Sequence, residues 1–548
     1  MIDRRKLRQK LDRIHTTLYD EYKDWEPGWK KVAELSRSFR GKFFNETNKQ
    51  FLRRSDDVVD NILNDCANVL AAGLQSGLTN PTTRWFKFKL RDADLMEFKP
   101  VKEWLYQVEN IIFEILLKSN FYKLSPLAYK EMGLFGQPCM LQEENVRTIT
   151  HFHLFTIGEY MLAADDNDVL DTFVHPFSMT VHQLVSKFGY DNLPKTIRQS
   201  YDNNQILVRH NVIHEIMPNF MMNKGKMDAK NKPYLSVYYL QDFREDDGIL
   251  RISGFDGFPV RAPRWEPLSG EVYAIAPAMN GMGMSKSLQK WHLSRHFGVD
   301  MQLKPPVNVP SDMYDNGKKP SLIPGGINPY NSRKGENKVT PTMNVNIDLS
   351  GINLSIADAK NDIKTAMLYN LFTAVLNSDK RMTATEVEKV SSEQMVQLGP
   401  VLNNITGEFL SPTITTTYDY AYKMGALPPC PPELEGMELG IEYISTLAMA
   451  QKSVELSAEL DFTQFVGMVS SYEPNAKKKL NVYELIDDYA DKRGVNPKIV
   501  NSNDEVAEMD KAEAAQQQQA QQLAMAQQML EGAKTLHDMS STPAGRGV

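Results

Sequence analysis

The spacing of hydrophobic residues changes twice along the 548-residue chain, and each change predicts a change of secondary structure. Residues 3–35, 55–75 and 100–135 carry apolar side chains three and four positions apart, which is typical of amphipathic helices. Between 138 and 260 apolar and polar positions alternate, which predicts antiparallel strands in a small barrel or sandwich. Helical spacing returns at 279–302. We therefore predict an α+β fold that is predominantly helical.

A proline-rich segment separates two of the later predicted helices. Residues 304–350 contain seven prolines and lie between the helix at 279–302 and a second helix at 356–378. A structureless loop of this length is unusual inside a compact domain, so we predict a small projecting subdomain. Its last residues, Thr342 to Leu349, alternate apolar and polar positions and predict a strand.

The C-terminal third contains a further helix and a boundary. Thr383 and Glu386 fit a capping box that opens a helix, and Pro400 is expected to kink it. Residues 428–432 hold four prolines in five positions, which predicts a rigid linker. Residues 504–540 are acidic and then rich in Ala, Gln and Met, which favours a helix that packs only against neighbouring copies.

Charge is unevenly distributed along a chain whose net charge is −7. Residues 1–54 carry 15 Lys and Arg against 8 Asp and Glu, a net of +7. Residues 431–548 carry 10 basic and 19 acidic residues, a net of −9. A basic segment of this kind contacts nucleic acid or an acidic partner, or else forms a solvated charged helix.

The sequence carries no recognisable catalytic motif. It has no phosphate-binding P-loop, no serine nucleophile elbow and no His-Glu-x-x-His zinc motif. The pairs His210/His214 and His292/His296 lack a further ligand at a diagnostic spacing, and the Asp165–Asp166 pair is typical of a turn. We therefore expect no metal and no cofactor, and a structural or binding role in place of catalysis.

Cysteine usage and hydropathy bear on the compartment. The three cysteines, Cys66, Cys139 and Cys430, lie far apart, which argues against a disulfide framework and favours a reducing setting. No apolar stretch approaches the ~20 residues of a membrane helix, and no signal peptide is expected.

Four groups of residues follow one another along the chain. They are Leu74–Pro81 with Arg84–Phe86; Arg264–Trp265 with Gly270–Tyr273 and Ala276–Ala278; Met382–Val387 with Leu398–Val401, Glu408, Leu410 and Pro412; and Gly425–Pro428 with Pro431. In order and spacing, over about residues 5–435, they resemble the head-to-tail connector, or portal, proteins of podovirus-type bacteriophages. Residues 436–548 are not distinctive.

The resemblance implies a dodecameric ring around a channel for double-stranded DNA. It implies the following regions: an N-terminal wing, 1–278; a first stem helix, 279–303; a clip, 304–351; a second stem helix, 352–379; a tunnel loop and kinked wing helix, 380–435; and a crown with a C-terminal helical barrel, 436–548.

The resemblance also implies function and partners. Such a ring sits at one capsid vertex of the virion, passes DNA during packaging and ejection, and docks first the packaging motor and then the tail. The implied partners are further copies of the chain, DNA without sequence specificity, the terminase motor, tail adaptor and tail proteins, and capsid and scaffold proteins, with no membrane. Synthesis would take place in the host cytoplasm. The basic head would pair with the acidic surface of a neighbouring subunit, because a closed ring needs heterologous interfaces.

The resemblance assigns candidate site residues as well. Lys380 and Arg381 lie in the implied tunnel loop and would face the channel, where phosphate contacts give affinity without sequence selection. The plain alternative is ordinary charge before a helix cap. The clip cations that would face the adaptor or motor are Lys318, Lys319, Arg333 and Lys334.

Two other classes of function stay open at this point. One is a metal-dependent nuclease or other DNA-processing enzyme that uses the histidine and aspartate clusters. The other is a monomeric scaffold or adaptor that binds partners without forming a ring.

Overall fold

A computed structural model of the chain describes most of its residues. They are 3–36, 40–43, 58–92, 95–96, 98–223, 225, 228–243, 248–311, 321–331, 338–343, 348–377, 398–434, 436–445, 447–448, 462–483, 485–486, 506, 509, 511–512, 514–520, 525 and 529. The chain divides into two compact units. One comprises Met1–Trp85, Ile112–Ala426 and Ser445–Gln451, and the other Phe86–Ile111, Leu427–Ile444 and Lys452–Val548.

Helices and strands alternate in blocks along the first 280 residues, and this mixed architecture agrees with the prediction. The helices are α1 (Arg4–Leu35), α2 (Ile62–Leu78), α3 (Lys99–Lys118), α4 (Phe121–Phe135), α5 (Val181–Phe188), α6 (Lys195–Asp202) and α7 (Pro277–Asn280). The strands are β1 (Phe86–Lys89), β2 (Cys139–Asn145), β3 (Ile149–Phe155), β4 (Met161–Ala164), β5 (Leu170–Thr180), β6 (Arg209–Pro218), β7 (Tyr234–Leu240), β8 (Ile249–Phe255), β9 (Val260–Arg261), β10 (Glu266–Pro267) and β11 (Ala274–Ile275).

The later elements surround the proline-rich segment and the predicted wing helix. The helices are α8 (Met282–Leu303), α9 (Leu349–Ala366), α10 (Tyr369–Asn377), α11 (398–405) and α12 (Ser411–Lys423). The strands are β12 (Val307–Pro310), β13 (Ile327–Tyr330), β14 (Thr340–Pro341) and β15 (Gly440–Tyr443).

The basic N-terminal helix α1 is part of the fold of its own chain. Asp3 caps it by accepting a hydrogen bond from the Lys6 amide, and the helix continues through Pro27. Its apolar stripe is fully buried, with Leu7, Tyr22 and Trp29 at 0% exposure. Burial of this stripe stabilises the helix, since each large apolar side chain contributes roughly 1.5–3 kcal/mol. Only the charged face of α1 is therefore left for a partner.

Helix α2 begins later than its hydrophobic pattern predicts. Residues 58–61 are not helical, so the predicted start at 55 is wrong. Asp60 accepts a hydrogen bond from the Ile62 amide and so satisfies the first turn from two residues upstream. The same carboxylate binds side chains of two later helices, and those contacts hold the backbone of 58–61 out of the helix.

The β-rich region contains an open five-stranded sheet, β4-β5-β6-β7-β8, in which every pair is antiparallel. The antiparallel strands predicted from the alternating pattern are confirmed, and the turn predicted at Asp165–Asp166 joins β4 to β5 in a hairpin. Strands β4 and β8 form the two edges and do not pair with each other, so the described strands form no closed barrel. Helix α5 follows β5 directly and begins with a complete capping box at Thr180 and Gln183.

A second sheet, β3-β2-β9, packs beside helix α4. That helix ends at Gly136 with φ 87°, and a Cβ there would overlap the Ala274 carbonyl, so the position requires glycine. Strand β3 is an edge strand. The Asn120 side chain bonds both to its Phe152 carbonyl, at 2.7 Å, and to its Phe152 amide, at 2.9 Å.

The two helices predicted around the proline-rich segment are present, but the second is broken. Helix α8 agrees with the prediction over 279–302. The single helix predicted over 356–378 is wrong, because α9 ends at Ala366 and α10 restarts at Tyr369. Leu368 adopts φ 51° at the break, a left-handed conformation that a non-glycine residue rarely takes. Helix α10 then packs against α2.

The described part of the proline-rich segment forms a three-stranded sheet, β13-β12-β14, which agrees with a small subdomain. The strand predicted over 342–349 is wrong for the described residues 342, 343, 348 and 349, none of which lies in a strand. Asp348 caps α9 through the Ser350 and Gly351 amides, and Leu349 is the first residue of that helix. Residues 344–347 lie outside the described residues.

The predicted wing helix is described from residue 398 onward. Pro400 lies in its first described turn, and the irregularity falls later, in a π-helical turn over Thr406–Leu410. Pro412 has no amide proton to give to a carbonyl four residues back, and a π turn just before it accommodates that loss. The helix then continues as α12.

The second unit contains a two-stranded ladder and an aromatic contact. Strand β1 pairs with β15, and Lys87 lies 3.3 Å from Glu442 across the ladder. The Trp104 indole donates to the Pro428 carbonyl at 3.3 Å. Most of residues 484–548 lies outside the described residues, so the predicted helical barrel is not described. Among the helices that are described, none combines the length and hydropathy needed to cross a membrane.

Candidate functional site

The six cations assigned from the sequence all lie outside the described residues. Lys380 and Arg381 fall between the end of α10 and the start of α11. Lys318 and Lys319 fall between β12 and β13, and Arg333 and Lys334 between β13 and β14. The structure therefore describes no contact among these six cations. It describes the elements that lead into and out of each segment.

One polar cluster ties residues 58–60 to both helices that flank the three-stranded sheet β13-β12-β14. The Asp60 carboxylate lies 2.7 Å from Lys360 on α9 and 2.9 Å from His292 on α8. The Gln289 side chain accepts from the Val59 and Asp60 amides and donates to the Asp60 carbonyl. Burial opposes ionisation of Asp60 and is the largest single effect. The hydrogen bonds from Lys360 and the Ile62 amide, together with the charges of Lys360 and His292, outweigh it, so the carboxyl pKa lies below its ordinary value.

A close contact between α2 and α10 sets the position from which the implied tunnel loop departs. A Cβ placed on Gly73 would lie 2.6 Å from Cδ1 and 2.7 Å from Cβ of Phe372. Phe372 is fully buried. Only glycine permits this approach, so the α2 surface determines where α10 lies, five residues before the described chain stops at Asn377.

Arg264 joins the tip of the β4–β5 hairpin to the π turn. Its guanidinium donates to the Glu408 carboxylate from Nη2 at 2.7 Å and from Nε at 3.1 Å. It also donates to the Asp168 carboxylate at 2.7 Å and to the Asp168 carbonyl at 2.8 Å. The guanidinium is only 6% exposed, and two charge-assisted contacts of this geometry are among the stronger polar interactions in proteins.

Arg261 holds the same helix one turn further along. Its Nη2 donates to Thr416 Oγ1 at 2.6 Å and to the Pro412 carbonyl at 3.2 Å. Burial lowers the pKa of its guanidinium to about 10, so it remains charged at neutral pH. Arg261 and Arg264 thus hold the helix on both sides of Leu410, downstream of the implied tunnel loop.

Asparagine and threonine side chains hold the sheet β13-β12-β14 together. Asn328 on β13 is 8% exposed and donates to the Ser321 carbonyl at 2.9 Å and to Thr342 Oγ1 at 3.1 Å. Thr342 in turn donates to Asn308 Oδ1 on β12 at 2.9 Å. These bonds give an insertion with few buried apolar residues a defined core.

Three of the histidines and aspartates considered as metal ligands have other partners. His214 is buried beside Ser236, His292 binds Asp60, and Asp165 accepts amides within its turn. Within the described ranges no group of three or more His, Cys, Asp or Glu side chains is placed to hold a metal ion. Nothing in that part of the chain favours the nuclease alternative.

The outward faces of α8 and α9 carry complementary residues. On α8 the exposed positions Lys286, Lys290, Leu293 and Phe297 recur at steps of four, three and four. On α9 the face opposite its buried residues exposes Leu354, Asp358 and Asp362. Leu293, Phe297 and Leu354 are 50%, 52% and 65% exposed, which is high for large apolar side chains on a helix.

These elements match a known class of viral protein. The family model for the bacteriophage head to tail connecting protein matches residues 8–500, and the chain belongs to this family. The portal assignment made from the sequence is thereby confirmed. The chain is 33% identical to the portal protein of Salmonella phage epsilon15 over 527 residues, which cover 96% of this chain and 94% of that protein.

Two further matches were found. The "Probable portal protein" of Bordetella phage BPP-1 is 31% identical over 530 residues, again 96% of this chain and 94% of the relative. A chain of the solved structure "Neck of empty GTA particle computed with C6 symmetry" matches at 9% identity with a TM-score of 0.37, covering 77% of this chain and 92% of its own. That TM-score is too low to carry an argument about fold.

Two contacts were not predicted from the sequence, although their residues lie in segments that the sequence analysis had identified. Arg264 and Glu408 both belong to the quoted motifs, but their pairing joins positions 144 residues apart. Gly73 lies in the predicted helix over 55–75, where glycine ordinarily weakens a helix, whereas in the structure it permits the approach of Phe372. In both cases the signal was the residue type, and the partner became apparent only from the fold.

Proposed function

We propose that the chain assembles into a closed, dodecameric ring around a channel for double-stranded DNA, at one vertex of the capsid. In this proposal Lys380 and Arg381 face the channel. The clip carries Lys318, Lys319, Arg333 and Lys334 towards the packaging motor and then the tail adaptor. The capsid and scaffold proteins are the remaining partners. Family membership and the portal relatives named above support this function.

The complementary faces of α8 and α9 are the observation that carries the ring. Lys290 lies 13 residues before the clip end of α8, and Asp362 lies 13 residues after the clip end of α9. At 1.5 Å per residue both side chains lie ~20 Å from the clip. Phe297 and Leu354 lie six and five residues from it, so their apolar groups also share a level.

We expect a heterologous contact between neighbouring copies, because these matching levels allow the α8 face of one copy to pair with the α9 face of another. The α8 face of one copy would meet the α9 face of the next, with lysines opposite aspartates and apolar residues opposite each other. Such a head-to-tail contact repeats around a ring until it closes. Among the described residues none of Lys286, Lys290, Asp358 and Asp362 has an ion-pair partner within its own chain, which leaves these charges available to a neighbour.

The channel proposal follows from charge. A conduit must let the duplex slide, so it needs contacts that neutralise phosphates without reading bases. One or two cations per copy form a positive ring when the copies are arranged around an axis. The chain as a whole is acidic, with a net charge of −7, and would otherwise repel the DNA backbone.

Native mass and negative-stain images of charge variants test the proposal. The parent should give closed rings with a central hole. Lys290→Glu and Asp362→Lys alone should each shift the population towards smaller species, because each places like charges opposite each other. The double swap Lys290→Glu/Asp362→Lys should restore rings, and Lys195→Glu, an exposed reversal on α6, is the matched control.

Two results would contradict the proposal. If the parent protein remains monomeric at high concentration, the proposal that it forms a ring is refuted. If both single reversals leave the rings intact, the α8–α9 faces are not the contact, and the ring must be held elsewhere. DNA retention by particles carrying Lys380→Ala/Arg381→Ala tests the channel residues separately, and unchanged packaging, retention and ejection would refute their role.

A further inference from the structure

A row of four ring and cationic side chains crosses the five-stranded sheet on one face. The strand register places His175 of β5 opposite His214 of β6, His214 opposite Tyr238 of β7, and Tyr238 opposite Arg251 of β8. The His214 and Tyr238 rings stack with centroids 3.9 Å apart and planes 6° apart. The strand register therefore places the four side chains in one row, in which His214, Tyr238 and Arg251 stack on one another and His175 lies directly opposite His214.

The two imidazoles at one end of the row lie in a setting that disfavours a positive charge. His214 is 2% exposed, and its Nε2 lies 2.9 Å from Ser236 Oγ. His175 Nδ1 donates to the Glu159 carbonyl at 2.6 Å, which favours the charged ring, but burial of His175 outweighs this bond and lowers its pKa. Directly opposite residues on antiparallel strands have Cβ atoms ~5 Å apart, so two protonated rings there would repel each other strongly.

The cationic groups around the row add to this penalty. Lys187 on α5 places its Nζ 4.5 Å from the centre of the Tyr238 ring, and the Arg251 guanidinium lies 4.9 Å from the same ring. The other titratable groups that face the row are Lys42, Glu143, His151, His153 and the Glu159 carboxylate. Glu143 is already engaged by His153 at 3.4 Å. Burial lowers the pKa of both His175 and His214 below the ordinary value.

We propose that the His175–His214 pair makes the five-stranded sheet acid-sensitive, so that the pairing of β5 with β6 is firm at neutral pH and loosens as both imidazoles take up protons. The sign follows from linkage. An unfolded imidazole binds a proton below about pH 6.5, whereas the folded one resists it, so stability is lost as the pH falls. The ratio of open to closed sheet rises by up to ~tenfold per pH unit for each imidazole.

The location gives this loosening a consequence for the rest of the unit. Strand β5 begins at Leu170, two residues after Asp168, whose carboxylate and carbonyl bind Arg264. Arg264 in turn holds Glu408 in the π turn. Acid would therefore weaken the support of the long helix through the hairpin, without any direct change at the helix itself.

One group on the opposite face of the sheet titrates in the other sense. Glu215 is fully buried, and the Tyr239 hydroxyl donates a hydrogen bond to its carboxylate. Burial outweighs this bond and raises the pKa of the Glu215 carboxyl. A raised carboxyl pKa adds stability in acid, which offsets one imidazole. The test must therefore compare the parent with a variant that lacks the histidines and retains Glu215.

Amide hydrogen exchange of the full-length protein, read by mass spectrometry, tests the inference. We compare the parent, His175→Phe/His214→Phe and His182→Phe at pH 7.5 and 5.5, after correction for intrinsic exchange. Phenylalanine retains the stacking and removes the titration, and His182 is an exposed histidine on α5 that serves as the control. Peptides of β5 and β6 should open at least tenfold more often at pH 5.5 in the parent and the control, and not in the double variant.

Other outcomes overturn the inference. Equal corrected protection of the parent at both pH values would show that the imidazoles do not resist protonation. An acid response retained by the double variant would place its origin in other groups. If the double variant does not fold, His214→Gln, which retains a hydrogen-bonding group for Ser236, should lose the tenfold that one imidazole supplies, and a full parental response in that variant refutes the proposal.

Discussion

Replacing Gly73 by alanine is the most direct probe of how α2 positions α10. The added Cβ would lie 2.6 Å from Phe372 Cδ1 and 2.7 Å from Phe372 Cβ, where ordinary contact begins near 3.4 Å. The second distance is to the base of the side chain, so rotating the ring does not relieve the overlap. Helix α10, or α2, has to move.

The expected cost combines two opposing effects. Overpacking of this kind costs about 1–3 kcal/mol, and the short distances place Gly73→Ala near the upper end. Alanine in a helix interior gains about 1 kcal/mol over glycine. The net expectation is a destabilisation of about 2 kcal/mol. Gly28→Ala in α1 is the matched control, because nothing lies within 4 Å of its Cβ position and only the gain applies.

Urea unfolding followed by intrinsic fluorescence, at one fixed protein concentration, measures both variants. Gly73→Ala should unfold at lower urea than the parent, and Gly28→Ala at equal or higher urea. Adding Phe372→Leu to Gly73→Ala should cost less than the sum of the two single changes, since the smaller side chain relieves the overlap. A Gly73→Ala variant as stable as Gly28→Ala would refute the steric argument.

Three further predictions concern other contacts. Arg264→Met should cost about 2–3 kcal/mol in urea unfolding because it leaves the Glu408 carboxylate without its main donor, and the double change with Glu408→Met should cost less than the sum. Asp60→Asn should destabilise the chain by about 1–2 kcal/mol at pH 7 through loss of the Lys360 bond. That difference should disappear in unfolding curves as the pH falls through the lowered Asp60 pKa, because the parent carboxylate is then protonated as well. Cys430 should react first with a maleimide in the native protein, since the other two cysteines are buried and burial raises their thiol pKa.

Local periodicity predicted the elements whose contacts are close in sequence. The turn at Asp165–Asp166 with its flanking strands and helix α8 both follow from residues within a few positions of each other. The start of α2 was wrong because Asp60 is bound by residues more than 200 positions away. No window along the chain contains that information.

The break between α9 and α10 illustrates the same limit. The apolar spacing continues through Met367 and Leu368, so the pattern predicts one helix. The chain instead turns at Leu368, and Phe372 of the restarted helix packs on Gly73, a tertiary contact that local spacing does not record. The candidate cations were identified from the resemblance alone, and they stay predictions because they lie outside the described residues.

The two hydrogen bonds between Asn120 and Phe152 bear on aggregation during assembly. An exposed edge strand offers a template on which another chain can add a strand, and identical chains at high local concentration present identical edges. The Asn120 amide occupies one donor and one acceptor of β3 with a group from the same chain, as a neighbouring strand would. Newly synthesised copies that meet before they assemble therefore have one fewer route to irreversible fibrous association.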